Sequence, residues 1–234
     1  MNCRAQSAPR NFVYLGGYNI GADAVAAHAA QSSEVIAELA DMAKRHNIAV
    51  VAGLALPGPS RPLNACIAID AKGTELCRYA KTHLYGPVDA AQFSAGPALS
   101  STFQLGGFAC SLAICYDIEF PEVARALALA GSDIILTPTA NMTPFDSVAT
   151  RLVPARAEEN SVCVAYAMYV GAEGAFAYNG LSCLCGPEGQ DLVRGSTDAP
   201  DILIADIDHS ALDRARASQT HLADRRPDLY GDLT

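Results

Sequence analysis

Short apolar runs rich in β-branched residues alternate along this chain with longer segments that repeat with helical periodicity. In the clearest helical segment, Val35, Leu39 and Met42 recur at positions i, i+4 and i+7, which places them on one face of a helix. Ser33 is a suitable N-cap, and the helix dipole favours the basic residues at the other end. The pattern therefore predicts a helix over residues 33–47.

Apolar segments bounded by glycine, proline or charged residues predict the strands. They lie at 48–56, 63–70, 74–80, 108–114, 134–137, 161–170, 181–186 and 202–207, with helices at 121–130, at 148–159 and after Asp208. Several of these strands are apolar on both faces, which is typical of sheets buried between layers. Strands that alternate with helices in this way predict an α/β fold.

Composition narrows the classes of function. Of the 234 residues, 50% are hydrophobic and 18% are charged, against roughly 25% charged in an average globular chain. The net charge of −9 argues against a nucleic-acid partner, because phosphate binding depends on clustered lysine and arginine. No apolar run approaches the roughly 20 residues that span a bilayer. We therefore expect no nucleic acid and no membrane as a partner.

The eight cysteines lie mostly in apolar stretches, where a thiol behaves as a small hydrophobe. The N-terminus lacks the apolar core of a signal peptide, which favours a reduced, cytoplasmic setting. Cys183 and Cys185 are too close in sequence for a usual zinc site. No glycine-rich nucleotide-binding motif occurs either, so we expect neither a metal nor a cofactor.

One cysteine stands out by its position. An apolar strand runs directly into Cys115, and Pro121 opens a helix after a short turn. A thiol between a strand end and a helix N-terminus lies in a field that stabilises the thiolate, which is the nucleophilic form. The alternative is that Cys115 is one more buried and unreactive cysteine. A third interpretation, a redox sensor, would need Cys110 as its partner, which strand alternation places on the opposite face.

Lys81 follows a predicted strand in a region with few charges. A lysine there would stabilise the oxyanion of a tetrahedral intermediate, although most lysines are simply solvated surface residues. His83, two positions later, offers a different chemistry as the base of a Cys–His pair. The two interpretations compete.

Several linked segments resemble the nitrilase superfamily of carbon–nitrogen hydrolases. They are GYNIG at 17–21, YAKTHLYG at 79–86, CYDIEFPEVAR at 115–125, PTANM at 138–142 and RAEEN at 156–160. The closing ADRRPDLY at 223–230 is similar to the ending of bacterial amidase-like members. The resemblance implies an α-β-β-α sandwich that hydrolyses a small linear amide, or alternatively a nitrile, through a cysteine acyl-enzyme.

Carried over by position, the resemblance implies that Cys115 is the nucleophile and Lys81 the cation that stabilises the intermediate. The backbone N–H of Tyr116 would complete the oxyanion hole. His83 matches a motif residue that has no catalytic role in the family, which counts against the Cys–His interpretation.

Two further site residues follow from the same resemblance. Many members carry a second glutamate after the lysine motif, where this chain has Asp89, one methylene shorter. Asn141 matches a position that lines the substrate pocket. The polar C-terminal arm, with Arg225 and Arg226, would serve contacts in a homodimer or larger homo-oligomer, and its alternative is a solvated tail.

The sequence departs from the family pattern at the general base. That glutamate normally lies in a Pro-Glu pair, six residues before the tyrosine of the Gly-Tyr motif. Counting back from Tyr18 gives Phe12, preceded by Asn11, and no glutamate occurs before Glu34. We therefore expect the chain to lack the family's usual first strand and helix.

This departure divides the chain into an atypical segment at 1–12, a carbon–nitrogen hydrolase domain at 13–208, incomplete at its start, and a C-terminal helix and arm at 209–234. It also leaves two interpretations, which are an amidase with a truncated or altered start and a catalytically inactive subunit that binds a ligand or assembles with others. Loss of a general base costs about 10² to 10⁴ in rate, so we expect little hydrolysis from the chain as written.

Overall fold

The computed structural model describes residues 2–6 and 18–231. The α-helices in that part of the chain are α1 (Ala22–Ala30), α2 (Ser32–His46), α3 (Gly86–Gln92), α4 (Pro121–Leu129), α5 (Val153–Glu158) and α6 (His209–Ser218). Short 3₁₀ segments cover Cys115–Glu119 and Pro227–Leu229, and a π-helical turn, Val148–Leu152, precedes α5.

The strands are β1 (Asn2–Gln6), β2 (Val50–Leu56), β3 (Leu63–Ile69), β4 (Glu75–Ala80), β5 (Phe103–Leu105), β6 (Phe108–Leu112), β7 (Ile134–Thr139), β8 (Cys163–Met168), β9 (Val170–Glu173), β10 (Phe176–Asn179), β11 (Cys183–Cys185), β12 (Asp191–Arg194) and β13 (Ile202–Asp206). They form a six-stranded sheet in the order β12-β11-β8-β7-β6-β5 and a three-stranded sheet in the order β2-β3-β4. The central strands β6, β7 and β8 are parallel, and their outer neighbours are antiparallel.

The two larger sheets pack face to face. Cys66 and Ala68 of β3 belong to the same buried cluster as Leu112 of β6 and Ile134 of β7. Because side chains alternate across a strand, Ile67, between the two β3 residues, points to the opposite face. Both faces of β3 are therefore buried, which explains its uninterrupted apolar sequence.

Helices cover the outer face of each sheet. Leu39 and Ala43 of α2 pack on the three-stranded sheet, as the helical spacing predicted. Val123 of α4 and Ala157 of α5 pack on the six-stranded sheet, in one cluster with Val164 of β8. The layers are thus helix, sheet, sheet and helix, and the predicted α/β sandwich is confirmed.

The N-terminus differs from one detail of the prediction. We expected no opening strand, yet β1 runs antiparallel to β13, with Asn2 opposite Asp206 and Gln6 opposite Ile202. Backbone hydrogen bonds hold β1 to β13, and the pattern of apolar residues in a sequence does not reveal such bonds. The expected lack of an opening helix, like Asn11 and Phe12, falls in 7–17, outside the described residues.

The cysteines and the helices have two further properties. No disulfide joins any of the seven cysteines whose side chains are described, which are all except Cys3. No helix within the described ranges combines the length and the apolarity needed to cross a membrane.

Candidate active site

Cys115 lies where the central sheet ends. It begins the 3₁₀ segment that follows β6, and its side chain is partly exposed. Its backbone φ is +48°, in the left-handed region that residues other than glycine seldom adopt. Strained positions of this kind cluster at functional sites, where the surrounding structure holds a side chain in a fixed direction.

Lys81 follows β4, and its side chain is completely buried. Its Nζ donates a hydrogen bond of 2.5 Å to Oδ2 of Asp89, which is equally buried. Burial alone would lower the pKa of Lys81, but the interactions of Lys81 with Cys115 and Asp89 outweigh it and raise this pKa above its ordinary value. Lys81 is therefore a buried cation, held in place by Asp89 and close to Cys115.

Asp89, on α3, holds more than the lysine. Its Oδ1 accepts a hydrogen bond of 2.8 Å from the Tyr18 hydroxyl, and its Oδ2 accepts one of 2.8 Å from the Tyr85 N–H. The sequence identified Asp89 only by its position, and it did not single out Tyr18 as a partner. The three donors keep this carboxylate fixed against Lys81.

Asp117, a fully buried carboxylate, joins the two halves of the site and was not predicted as a site residue. From the lysine segment it accepts hydrogen bonds from the Tyr79 hydroxyl at 2.8 Å and from the His83 N–H at 3.0 Å. From the cysteine segment it accepts one from the Ile114 N–H at 3.0 Å. Asp117 therefore ties the end of β4 to the turn that carries Cys115.

We expect Asp117→Asn to lower the free energy of unfolding by about 2 to 4 kcal/mol, because one oxygen of the Asp117 carboxylate becomes an NH₂ group facing N–H and O–H donors. We also expect slower alkylation of Cys115. Urea unfolding and timed iodoacetamide labelling measure the two effects. Asp228→Asn, at an exposed carboxylate paired with Arg226, is the matched control and should change neither quantity. A wild-type labelling rate in Asp117→Asn would show that Asp117 does not position Cys115.

His83 lies against the Asp117 carboxylate. Its Nδ1 is 2.9 Å from Oδ1 of Asp117, and its ring stacks on Phe120 with a centroid distance of 4.2 Å. Nδ1 of His83 therefore faces the carboxylate of Asp117 and the hydroxyl of Thr82. In the described part of the chain, no hydrogen bond joins His83 to Cys115. The arrangement favours a structural use of His83 over a Cys–His pair.

Tyr116 and Asn141 take different positions. Tyr116 directly follows Cys115 and is the second residue of the same helical segment, where a backbone N–H has no intrahelical partner, so its place in an oxyanion hole stays a prediction. The Asn141 side chain donates to the Phe145 carbonyl at 2.9 Å and accepts from the Met142 N–H at 2.9 Å. Asn141 therefore shapes the loop that carries Phe145, and contact with a substrate remains a prediction for it.

A group of aromatic side chains, which we call the aromatic rim, lies beside the cysteine turn and was not predicted. Tyr85 contacts Tyr116 and Phe145 edge to face, with centroid distances of 5.3 and 6.3 Å, and Tyr116 contacts Phe120 at 4.9 Å. All four rings are at least partly exposed. Their sequence separation, from 85 to 145, is why no single segment revealed them.

One cluster outside this site contains possible metal ligands. Cys183 and Cys185 are buried with their sulfurs 3.9 Å apart, and Cys185 Sγ is 3.4 Å from Oδ1 of Asp191. Arg194 donates to both oxygens of that carboxylate at 2.6 Å. A cation would therefore have to displace Arg194, and three ligands beside a guanidinium are a poor metal site.

Comparison with known proteins agrees with this geometry. The model of the family described as carbon–nitrogen hydrolase matches residues 12–217. A protein described as hydrolase in pqqF 5′region, from Pseudomonas protegens, is 42% identical over 228 residues, which cover 95% of this chain and 78% of the relative. An (R)-stereoselective amidase from Pseudomonas sp. is 31% identical over 222 residues, covering 94% of this chain and 80% of the relative.

A solved structure is similar over the same length. It is a glutamine-for-glutamate mutant of the amidase from Nesterenkonia sp. AN1, with acrylamide added at the active site cysteine. The TM-score is 0.82 at 33% identity, covering 93% of this chain and 83% of that one. These matches place the chain among hydrolases of the amidase and nitrilase class. The chain belongs to the carbon–nitrogen hydrolase family of the nitrilase superfamily.

Proposed function

We propose that this protein hydrolyses a small linear amide, with a nitrile as the alternative substrate, through an acyl-enzyme on Cys115. The observation that carries the proposal is the completely buried Lys81–Asp89 pair beside a strained, partly exposed cysteine. Removing an ammonium group from water is costly, so a buried lysine needs a charged partner. The Asp89 carboxylate keeps Lys81 charged, and the charge acts on the position of the reacting thiol.

The reaction begins with attack of the Cys115 sulfur on the amide carbon. An S–C bond forms and the carbonyl electrons move to oxygen, where Lys81 and the Tyr116 N–H stabilise the oxyanion. The C–N bond then breaks and the nitrogen leaves as ammonia, carrying the proton that the thiol released. Water attacks the resulting thioester, which returns the thiol and releases a carboxylic acid.

The proton transfers in this scheme need a base. By position the family's glutamate would fall at Phe12, and the first glutamate of this sequence is Glu34. We therefore infer that formation of an acyl-enzyme on Cys115 is faster than the complete hydrolysis of an amide. The same observation favours a second candidate function, in which the chain is a catalytically inactive subunit that binds an amide or assembles with other subunits.

We expect iodoacetamide to alkylate Cys115 at least tenfold faster than the other cysteines, because its side chain is partly exposed and lies close to the Lys81 cation, a setting typical of reactive cysteines. Six of the other thiols are buried, and burial raises the pKa of Cys66 far above its ordinary value. Timed labelling of the native protein, followed by peptide mass spectrometry of all eight cysteines, measures the order.

Cys115→Ala is the control for this experiment, since it should remove the fast-labelled peptide and leave the slow ones unchanged. Uniform labelling of the eight thiols in the wild-type protein would contradict hydrolysis through Cys115, because no activated nucleophile would then lie at this position. The catalytically inactive subunit needs no such nucleophile and would be the remaining candidate.

A further inference from the structure

Glu119 carries a partly buried carboxylate that the chemistry above does not use. Burial raises the pKa of Glu119 above its ordinary value, although the charges of Lys81 and Arg156 act in the opposite direction. Among the residues that the structure describes, no side chain forms an ion pair with this carboxylate and no group donates a hydrogen bond to it. A carboxylate withdrawn from water without a donor is unfavourable, so a ligand that supplied one would be stabilised there.

The two nearby cations are engaged elsewhere. Lys81 donates to Asp89. The Arg156 guanidinium donates to Oε1 of Glu159 at 3.1 Å, and it reaches Glu119 only at the backbone carbonyl, at 2.7 Å. The Glu119 carboxylate can therefore pair with a cationic group of a ligand that enters the site.

Part of the aromatic rim adjoins Glu119, because Phe120 follows it directly in the chain and the Phe120 ring contacts Tyr116 at 4.9 Å. Burial raises the pKa of Tyr85, and the charges of Glu119 and Cys115 raise it further. The carboxylate, the thiol and the Tyr85 hydroxyl therefore lie within electrostatic reach of one another. Aromatic faces also attract cations, with the strongest effect where water is partly excluded.

The spacing between thiol and carboxylate suits a short substrate. Cys115 and Glu119 are the first and last residues of one 3₁₀ segment. An ideal 3₁₀ helix rises about 2.0 Å per residue, which corresponds to about 8 Å along the axis for residues four positions apart. A substrate bound at Cys115 by its carbonyl carbon would reach Glu119 through a few methylene groups.

We propose that Glu119, with the aromatic rim, selects small primary amides whose acyl chain ends in a cationic group such as an ammonium. The proposal rests on the proposed function, because it takes Cys115 as the position of the amide carbonyl. Glu119 then acts as a specificity residue, and it pairs with the ammonium while the amide carbon lies at the sulfur.

Protection of Cys115 from iodoacetamide tests this without requiring turnover. The probes are 4-aminobutanamide and pentanamide, which differ only by an ammonium in place of a terminal methyl group. In the wild-type protein we expect 4-aminobutanamide to halve the labelling rate at about one tenth of the pentanamide concentration, the effect of one charge-assisted hydrogen bond. Glu119→Gln should make the two concentrations equal, with each variant compared with its own unprotected rate.

Two further measurements keep the test independent of folding. Succinamate, which carries a carboxylate in place of the ammonium, should protect Glu119→Gln better than the wild-type protein, a gain that a damaged fold does not produce. Glu122→Gln removes the same charge from an exposed position on α4, and it should keep the tenfold preference for 4-aminobutanamide.

The outcomes separate the two proposals. If neither amide protects Cys115, the amide site and the Glu119 proposal both fail. If both amides protect the wild-type protein equally, or if Glu119→Gln keeps the preference, the assignment of Glu119 alone is overturned and the amide site stands.

Discussion

Lys81→Met is expected to destabilise the protein by about 3 to 5 kcal/mol, because it leaves the Asp89 carboxylate buried without its cation. Both side chains of the pair are completely buried, so water cannot replace the lost partner. The same change removes the oxyanion-stabilising charge, which we expect to slow acylation of Cys115 by about 10² to 10³. Urea unfolding measures the first effect. The burst of p-nitrophenolate from p-nitrophenyl acetate measures the second, since this leaving group needs no proton.

Two controls separate stability from chemistry in that experiment. The double variant Lys81→Met/Asp89→Asn removes both charges, so it should recover most of the lost free energy of unfolding and none of the acylation rate. Lys44→Met, at an exposed lysine of α2 paired with Asp41, should alter neither. A wild-type burst in Lys81→Met would mean that the lysine serves only the fold.

Adding a carboxylate at position 12 is expected to have the second large effect. Phe12→Glu places a carboxylate at the position where the family has its general base, and this is also the first residue that the family model matches. Cys115 and Lys81, the proposed nucleophile and cation, already lie close to each other, and Tyr116 directly follows Cys115. We therefore expect the rate of ammonia release from a small amide to rise by about 10² to 10⁴, the usual contribution of a positioned base.

Phe12→Gln has nearly the same shape without the charge, so it should produce no such gain. The p-nitrophenyl acetate burst should change little in either variant, which checks that the site is intact. If Phe12→Glu has a normal burst but releases ammonia no faster than Phe12→Gln, an added carboxylate at this position does not restore turnover. The inactive binding subunit is then the better interpretation.

The sequence predicted the elements whose polarity contrast is strong. Helix α2 was found within one residue at each end because Leu39 and Ala43 face the core while charged residues face outward. Helix α1 was missed because its sequence, ADAVAAHAA, is apolar nearly all round and shows no periodic contrast. The short hairpin β9–β10 was missed for a related reason, since its strands have four residues each and expose part of both faces.

The site divides in the same way. Cys115 and Lys81 follow strands and lie in dense motifs, so their positions could be proposed from the chain alone. Asp117 and Glu119 lie in the same motif as Cys115, but their uses depend on partners that only folding brings close. Asp117 acts on residues 34 to 38 positions earlier, and the Glu119 charge acts on Tyr85. No spacing rule within one segment reveals such contacts.

The hub at Asp117 also bears on how this protein can be re-engineered. Because one carboxylate accepts hydrogen bonds from Tyr79, His83 and Ile114, it ties together the loops that carry Lys81 and Cys115 as one block. The aromatic rim is joined to that block by ring packing, and Phe145 reaches it from a separate loop. Libraries at Tyr85 and Phe145 would therefore change which amides enter while the reacting groups keep their geometry.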